Sequence, residues 1–202
     1  MKFWKKLFGA AAPAHPERME PDRTDAQARA RAAAGFDAFI ALLTNASAEE
    51  EAQRIRGVAR AAWQARAAQD AAAGAFDAVD AYQVLEEVAA GEDGQRPGQW
   101  LLIHLDWKAT DEIGWQVADI LAQRAVAPTW SGIEAEFDTV PAALMDLAQW
   151  LHPRGLALLD IETDADAFCS FIVDAAQVTH ARQLAAAARL TVYDAEEFAA
   201  RN

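Results

Sequence analysis

Asp106 and Lys108 flank Trp107 at the end of the apolar run Trp100-Leu101-Leu102-Ile103-His104-Leu105. An acid and a lysine two residues apart on a strand point to the same side. A carboxylate there can hold a divalent cation while the ammonium positions or activates a water, the chemistry of metal-assisted hydrolysis. Other chemistry-bearing groups are sparse. The histidines His15, His104, His152 and His180 stand at no metal-ligand spacing, so neither a metal site nor any other cofactor is expected. Cys169, the single cysteine, lies in an apolar stretch where a small buried thiol is the ordinary outcome, and pairing it with His180 as nucleophile and base has little support. Ser170 lacks elbow glycines. Asp160, Glu162, Asp164 and Asp166 recur like a calcium loop, but Ala165 stands where glycine is required and Phe171 where glutamate belongs. A solvated hairpin turn is expected there instead.

The Asp106–Lys108 fragment resembles the Asp/Glu-x-Lys motif of metal-dependent nucleases, and a hydrolase using these two residues is the alternative functional reading. Those nucleases also need an upstream acid on a neighbouring strand, whereas the residues before Trp100 read as helix or glycine-rich loop. A longer stretch, Leu101 to Lys108 followed by Asp111-Glu112-Ile113-Gly114-Trp115, resembles a signature of an uncharacterised bacterial domain family of unknown function. That resemblance runs from about residue 100 to about residue 190. It implies bacterial origin and a single α/β-type module, and it carries no activity or site residue.

Five of the seven tryptophans fall between residues 100 and 150. On a helix opened at Thr110, Ile113, Val117 and Ile120 make the inward stripe, which leaves Trp115 on the polar face beside Asp111 and Asp119. A tryptophan so placed either packs under another element or anchors a partner. Trp107, Trp115 and Trp130 are accordingly the candidate binding residues.

Charge narrows the partners. The 202-residue chain carries a formal net charge of -13, and residues 98–202 hold 16 acids against 6 bases. Such a body repels phosphate backbones and disfavours nucleic acid. It attracts basic proteins and speeds their association. The exception is the N-terminus, where Lys2, Lys5 and Lys6 are three of only four lysines. Wound as a helix, Phe3, Trp4, Leu7 and Phe8 share one side and the three lysines the other. This segment is expected to dock weakly on a membrane surface or a partner, with a disordered terminus or one folded back over an apolar groove of its own chain as the alternatives. With no apolar run of about 18 residues, no signal-like apolar core after Lys6 and a single cysteine, the expectation is a cytoplasmic protein with peripheral contact at the inner membrane.

The elements that must position these residues follow from periodicity and caps. Residues 1–23 are the tail and a proline-bearing linker. Residues 24–96 read as a helical region, with helices over about 24–43, 47–69 and 77–90. The glycine-rich Gly91–Gly98 segment leads into an α+β core over 97–202. There a strand at 100–107, a helix to about 124, an edge strand at 133–138 and a helix at 141–151 precede a hairpin of 156–161 with 168–173, then a helix at 177–188 and a short strand at 191–193. The class is α+β, N-terminal helices followed by a small mixed sheet flanked by helices, with 24–202 as one compact unit. No catalytic set is recognisable, so the functional expectation is an acidic interaction module, more non-enzymatic than enzymatic.

Overall fold

The computed structural model describes residues 23–72, 79–127 and 129–201. The basic tail, Lys2 to Phe8, lies outside them. Helices α1 (Arg23–Leu43), α2 (Glu49–Ala72) and α3 (Ala81–Ala89) come first. Strand β1 (Leu102–Asp106), α4 (Ile113–Gln123), α5 (Val140–Leu151), β2 (Leu156–Ile161), β3 (Ala167–Asp174), α6 (Val178–Ala187), β4 (Val192–Tyr193) and α7 (Ala195–Ala199) follow.

The strands form one sheet in the order β1-β3-β2-β4. All three pairings are antiparallel, where a mixed sheet was expected. The α+β class itself is what the chain adopts. Because side chains alternate across a strand, β3 sends Cys169, Phe171 and Val173 to one face and Ile172 to the other. On the first face lie α1, α2, α3 and α6, with Phe36, Phe39, Ile55 and Leu85 essentially buried. On the second lie α4, α5 and α7, with Ile113, Val117, Leu144, Leu147 and Phe198. The sheet is thus the middle of three layers, and both of its faces are covered, which explains why its strands read as near-continuous apolar runs.

Local chemistry fixes the joints. Asp80 caps α3 by accepting from the N–H groups of Tyr82 and Gln83. Thr139 accepts from the Ala142 N–H, with Pro141 in the first turn of α5. Gly155 takes φ 71° between α5 and β2, a left-handed conformation that favours glycine. Asp194 and Glu197 form a reciprocal capping box at α7. At Gly35 a Cβ would lie 2.5 Å from the Ala187 carbonyl carbon, so the α1–α6 approach requires glycine.

Two expectations are corrected. Residues 133–138 form no strand: a 3-10 turn over Ser131–Glu134 lies across α4, close enough that a Cβ on Gly114 would meet the Ile133 carbonyl oxygen at 2.7 Å. Residues 110–112 form a 3-10 turn of their own, and Glu112 at the head of α4 makes no side-chain capping hydrogen bond.

Candidate interaction surface along the first strand

Strand β1 is an edge strand, and its outer side is closed by side chains rather than by another strand. Gln116 of α4 accepts from the His104 N–H at 2.8 Å and donates to the His104 carbonyl at 3.1 Å. Gln95 accepts from the N–H groups of Leu101 and Leu102, both at 3.0 Å, and donates to the Leu102 and Ala89 carbonyls. Asp119 accepts from the Gly98 and Trp100 N–H groups, and Gln123 donates to the Trp100 carbonyl. Beyond the start of β1, Arg124 donates to the Ile172 carbonyl of β3. Burial pulls the Arg124 guanidinium below its ordinary pKa, opposed by nearby Asp174. These groups satisfy an edge that would otherwise template another chain. They also hold α4 against β1, and α4 in turn carries Trp115.

At the far end of β1 the chain turns sharply. Asp106 is the last strand residue, and its Oδ1 accepts from the Lys108 N–H at 3.0 Å. The Lys108 ammonium sits 4.3 Å from the centroid of the Trp107 ring. The Trp107 N–H donates to the Asp166 carbonyl, tying the turn to the β2–β3 hairpin. Asp106 and Lys108 are therefore together at an exposed strand end, and the residue opposite Asp106 on β3 is Ala167, not a carboxylate. Among the described residues no three of His, Cys, Asp and Glu are grouped to hold a metal ion.

Trp107 is 51% exposed and Trp115 45%. Trp115 leans edge-on against half-buried Trp100, ring centroids 4.7 Å apart, which restricts it without covering it. Trp130 departs from the expectation. It is 1% exposed, stacks on Phe137 and donates its indole N–H to Asp146 at 2.9 Å, so it is a core residue and no surface anchor. Asp106 and Lys108 beside Trp107 in sequence, Asp111 and Glu112 in the turn that leads to α4 and Trp115, and Asp164 and Asp166 in the β2–β3 turn are all exposed.

Two buried polar clusters escaped the sequence reading. On the α5/α7 face, the Ser170 hydroxyl donates to Asp160 Oδ1 at 2.8 Å, across the register pair that joins β3 to β2. Leu144, Met145, Ala148 and Phe198 close over them. This burial pushes the Asp160 carboxyl up to about 7, against the pull of Ser170 and Arg201. A polar residue interrupting each of two apolar strands was the available signal. On the opposite face His104 pairs in register with Cys169, and Tyr82 Oη lies 3.4 Å from His104 Nε2. Burial lowers the His104 pKa and raises that of the Cys169 thiol, so a neutral imidazole faces a neutral thiol. Such a pair is unlike an activated nucleophile, which needs a thiolate. His180 is exposed on α6. The Asp160–Asp166 segment is a strand end and a turn, with Asp164 at φ 51° and Glu162 paired to Arg201.

No curated protein matches the chain, and no solved structure does either. A family model described as "Domain of unknown function (DUF6630)" matches residues 20–195, a span that holds α1 to α6, all four strands and both exposed tryptophans. The chain belongs to that family.

Proposed function

We propose that the chain is a non-catalytic, acidic interaction module that takes a basic protein partner on the β1–α4 edge, with Trp107 and Trp115 as its anchors. The observation that carries this reading is the exposure of these two rings on segments that also expose carboxylates. Tryptophan is enriched among the residues that dominate interface energies. Exposed acids supply steering and selectivity toward positive charge while adding little to affinity. The net charge of -13 extends the same preference over the whole chain and works against nucleic acid. A single, buried, unpaired cysteine supports a reducing cytoplasmic setting. Among the described residues no helix is long and apolar enough to cross a membrane.

A 16-residue peptide of mixed lysine, arginine and leucine serves as a defined probe, followed by intrinsic tryptophan fluorescence. Replacing both Trp107 and Trp115 by alanine is expected to weaken its binding at least tenfold, since a buried aromatic anchor contributes roughly 2 kcal/mol or more. Raising salt from 50 to 500 mM is expected to weaken it further. Equal affinity of the wild type and the double variant would overturn the assignment of this surface.

A further inference from the structure

A second feature is a groove between α2 and α3. It measures about 890 Å³ and has a floor of Gly57, Val58, Ala61 and Ala65 from α2 and Val84 from α3. Its volume is that of a ligand or peptide cleft, roughly 300–1,000 Å³. Along one wall stand Glu86, Glu87, Glu92 and Asp93. Two of the three arginines of the groove are engaged elsewhere, and the third, Arg96, forms no salt bridge among the described residues. Arg54 binds Glu51 and the carbonyls of Asp93 and Gly94, and Arg66 pairs with Asp70. The four wall acids are thus left without a salt bridge among the described residues.

We infer that the chain's own basic, aromatic N-terminal segment, Lys2 to Phe8, docks in this groove, with Phe3, Trp4, Leu7 and Phe8 on the small-residue floor and Lys2, Lys5 and Lys6 toward the acidic wall. Three observations carry it. The first is charge: the segment holds three of the chain's four lysines, and the wall presents four carboxylates outside any salt bridge among the described residues, against Arg96 as the one arginine in the same state. The second is shape. A floor of Gly57, Ala61 and Ala65 leaves room for large side chains, and a Cβ placed on Gly57 would meet nothing within 4 Å. An amphipathic segment with anchors at i, i+1, i+4 and i+5 is the complement such a groove takes.

The third is reach. Helices α1 and α2 run antiparallel, with Thr44 beside Arg56, Asp37 beside Arg60 and Phe36 beside Trp63. The start of α1 at Arg23 therefore comes to the end of α2 that carries Ala65 and Gln69. From there the 14 residues 9–22 can span up to about 45 Å, while the groove from Gln69 to Arg54 is about 22 Å long at 1.5 Å per helical residue. Docking would keep the segment's apolar face off any other surface, and a lipid bilayer would compete for the same residues.

Disulfide trapping in the full chain tests this. Cys169 is fully buried and stays out of exchange. Leu7→Cys combined with Ala61→Cys is expected to close, under mild oxidation, at least tenfold faster than Leu7→Cys combined with Ala176→Cys, a position exposed at the end of β3. Adding Glu86→Lys and Glu87→Lys is expected to bring the groove pair down to the control rate. Those two charge reversals alone, in the otherwise native chain, are expected to increase sedimentation with phosphatidylglycerol vesicles by freeing the segment. Equal closure rates for the groove and control pairs would overturn the inference. If those equal rates came with strong vesicle sedimentation of the native chain, the occupant of the tail's apolar face would be lipid.

Discussion

Asp160 is a carboxylic acid that the fold takes out of water. It is enclosed by Leu144, Met145, Ala148 and Phe198, and one oxygen is satisfied by Ser170. Its folded pKa of about 7 lies above the ordinary carboxylate value, so the fold favours the protonated form. The stabilisation this gives is present at low pH and is lost as pH rises from about 4 to about 7, at up to ~1.4 kcal/mol per pH unit. Glu51 moves the other way, held down by its hydrogen bond to Arg54, so the whole-protein profile mixes both signs. The comparison with Asp160→Asn isolates the one group. Asparagine stays neutral and keeps an acceptor for the Ser170 hydroxyl. The variant is expected to melt higher than the wild type at pH 8 and at the same temperature at pH 4. Parallel melting profiles across that range would show that Asp160 is solvated in the fold.

At the scale of elements, the closing of β1 by glutamine amides has a measurable cost if removed. Gln116 is 1% exposed and satisfies both backbone groups of His104. Gln116→Leu keeps most of the volume and orphans one N–H and one carbonyl, each costing about 1–3 kcal/mol when buried. Urea unfolding is expected to show a loss of roughly 2–4 kcal/mol with an unchanged m-value; a loss below 0.5 kcal/mol would mean that water replaces the amide. This edge also marks where the sequence was legible and where it was not. Apolar runs located β1, β2 and β3, and caps and periodicity located α1 and α2, because those signals are local. Ile133 to Asp138 alternates like a strand, yet the edge it would have joined is occupied by Gln116, Gln95 and Asp119, residues whose types read as solvent-facing. Trp130 was misplaced for the same reason, since nothing near it in sequence announces Asp146 as the partner of its indole. Trp115 could be placed because helical periodicity alone put it opposite Ile113 and Val117.

At the scale of the whole molecule, the sheet couples two cores that share no helix. Phe171 packs edge-on against Phe39 of α1, centroids 5.3 Å apart, while its neighbour Ile172 points into the cluster of α4 and α5. Either face, if stripped of its helices, would expose alternate residues of every long strand to water, at about 25 cal/mol per Å² of apolar area. A four-stranded sheet covered on one side only would carry that penalty along its entire other face. We therefore predict that the helical region before residue 96 and the strands after it unfold together. Ile55→Ala, beneath α1 on one side, and Leu121→Ala, against β1 on the other, should each cost about 2–5 kcal/mol as cavities in a packed core. Both are expected to shift one transition, seen alike by far-ultraviolet circular dichroism and by tryptophan fluorescence. The fluorescence probe is informative because Trp63 reports the α1–α2 side and Trp130 the α4–α5 side. A second transition appearing in Ile55→Ala, with circular dichroism and fluorescence midpoints apart, would instead assign α1 to α3 to a separately folding layer.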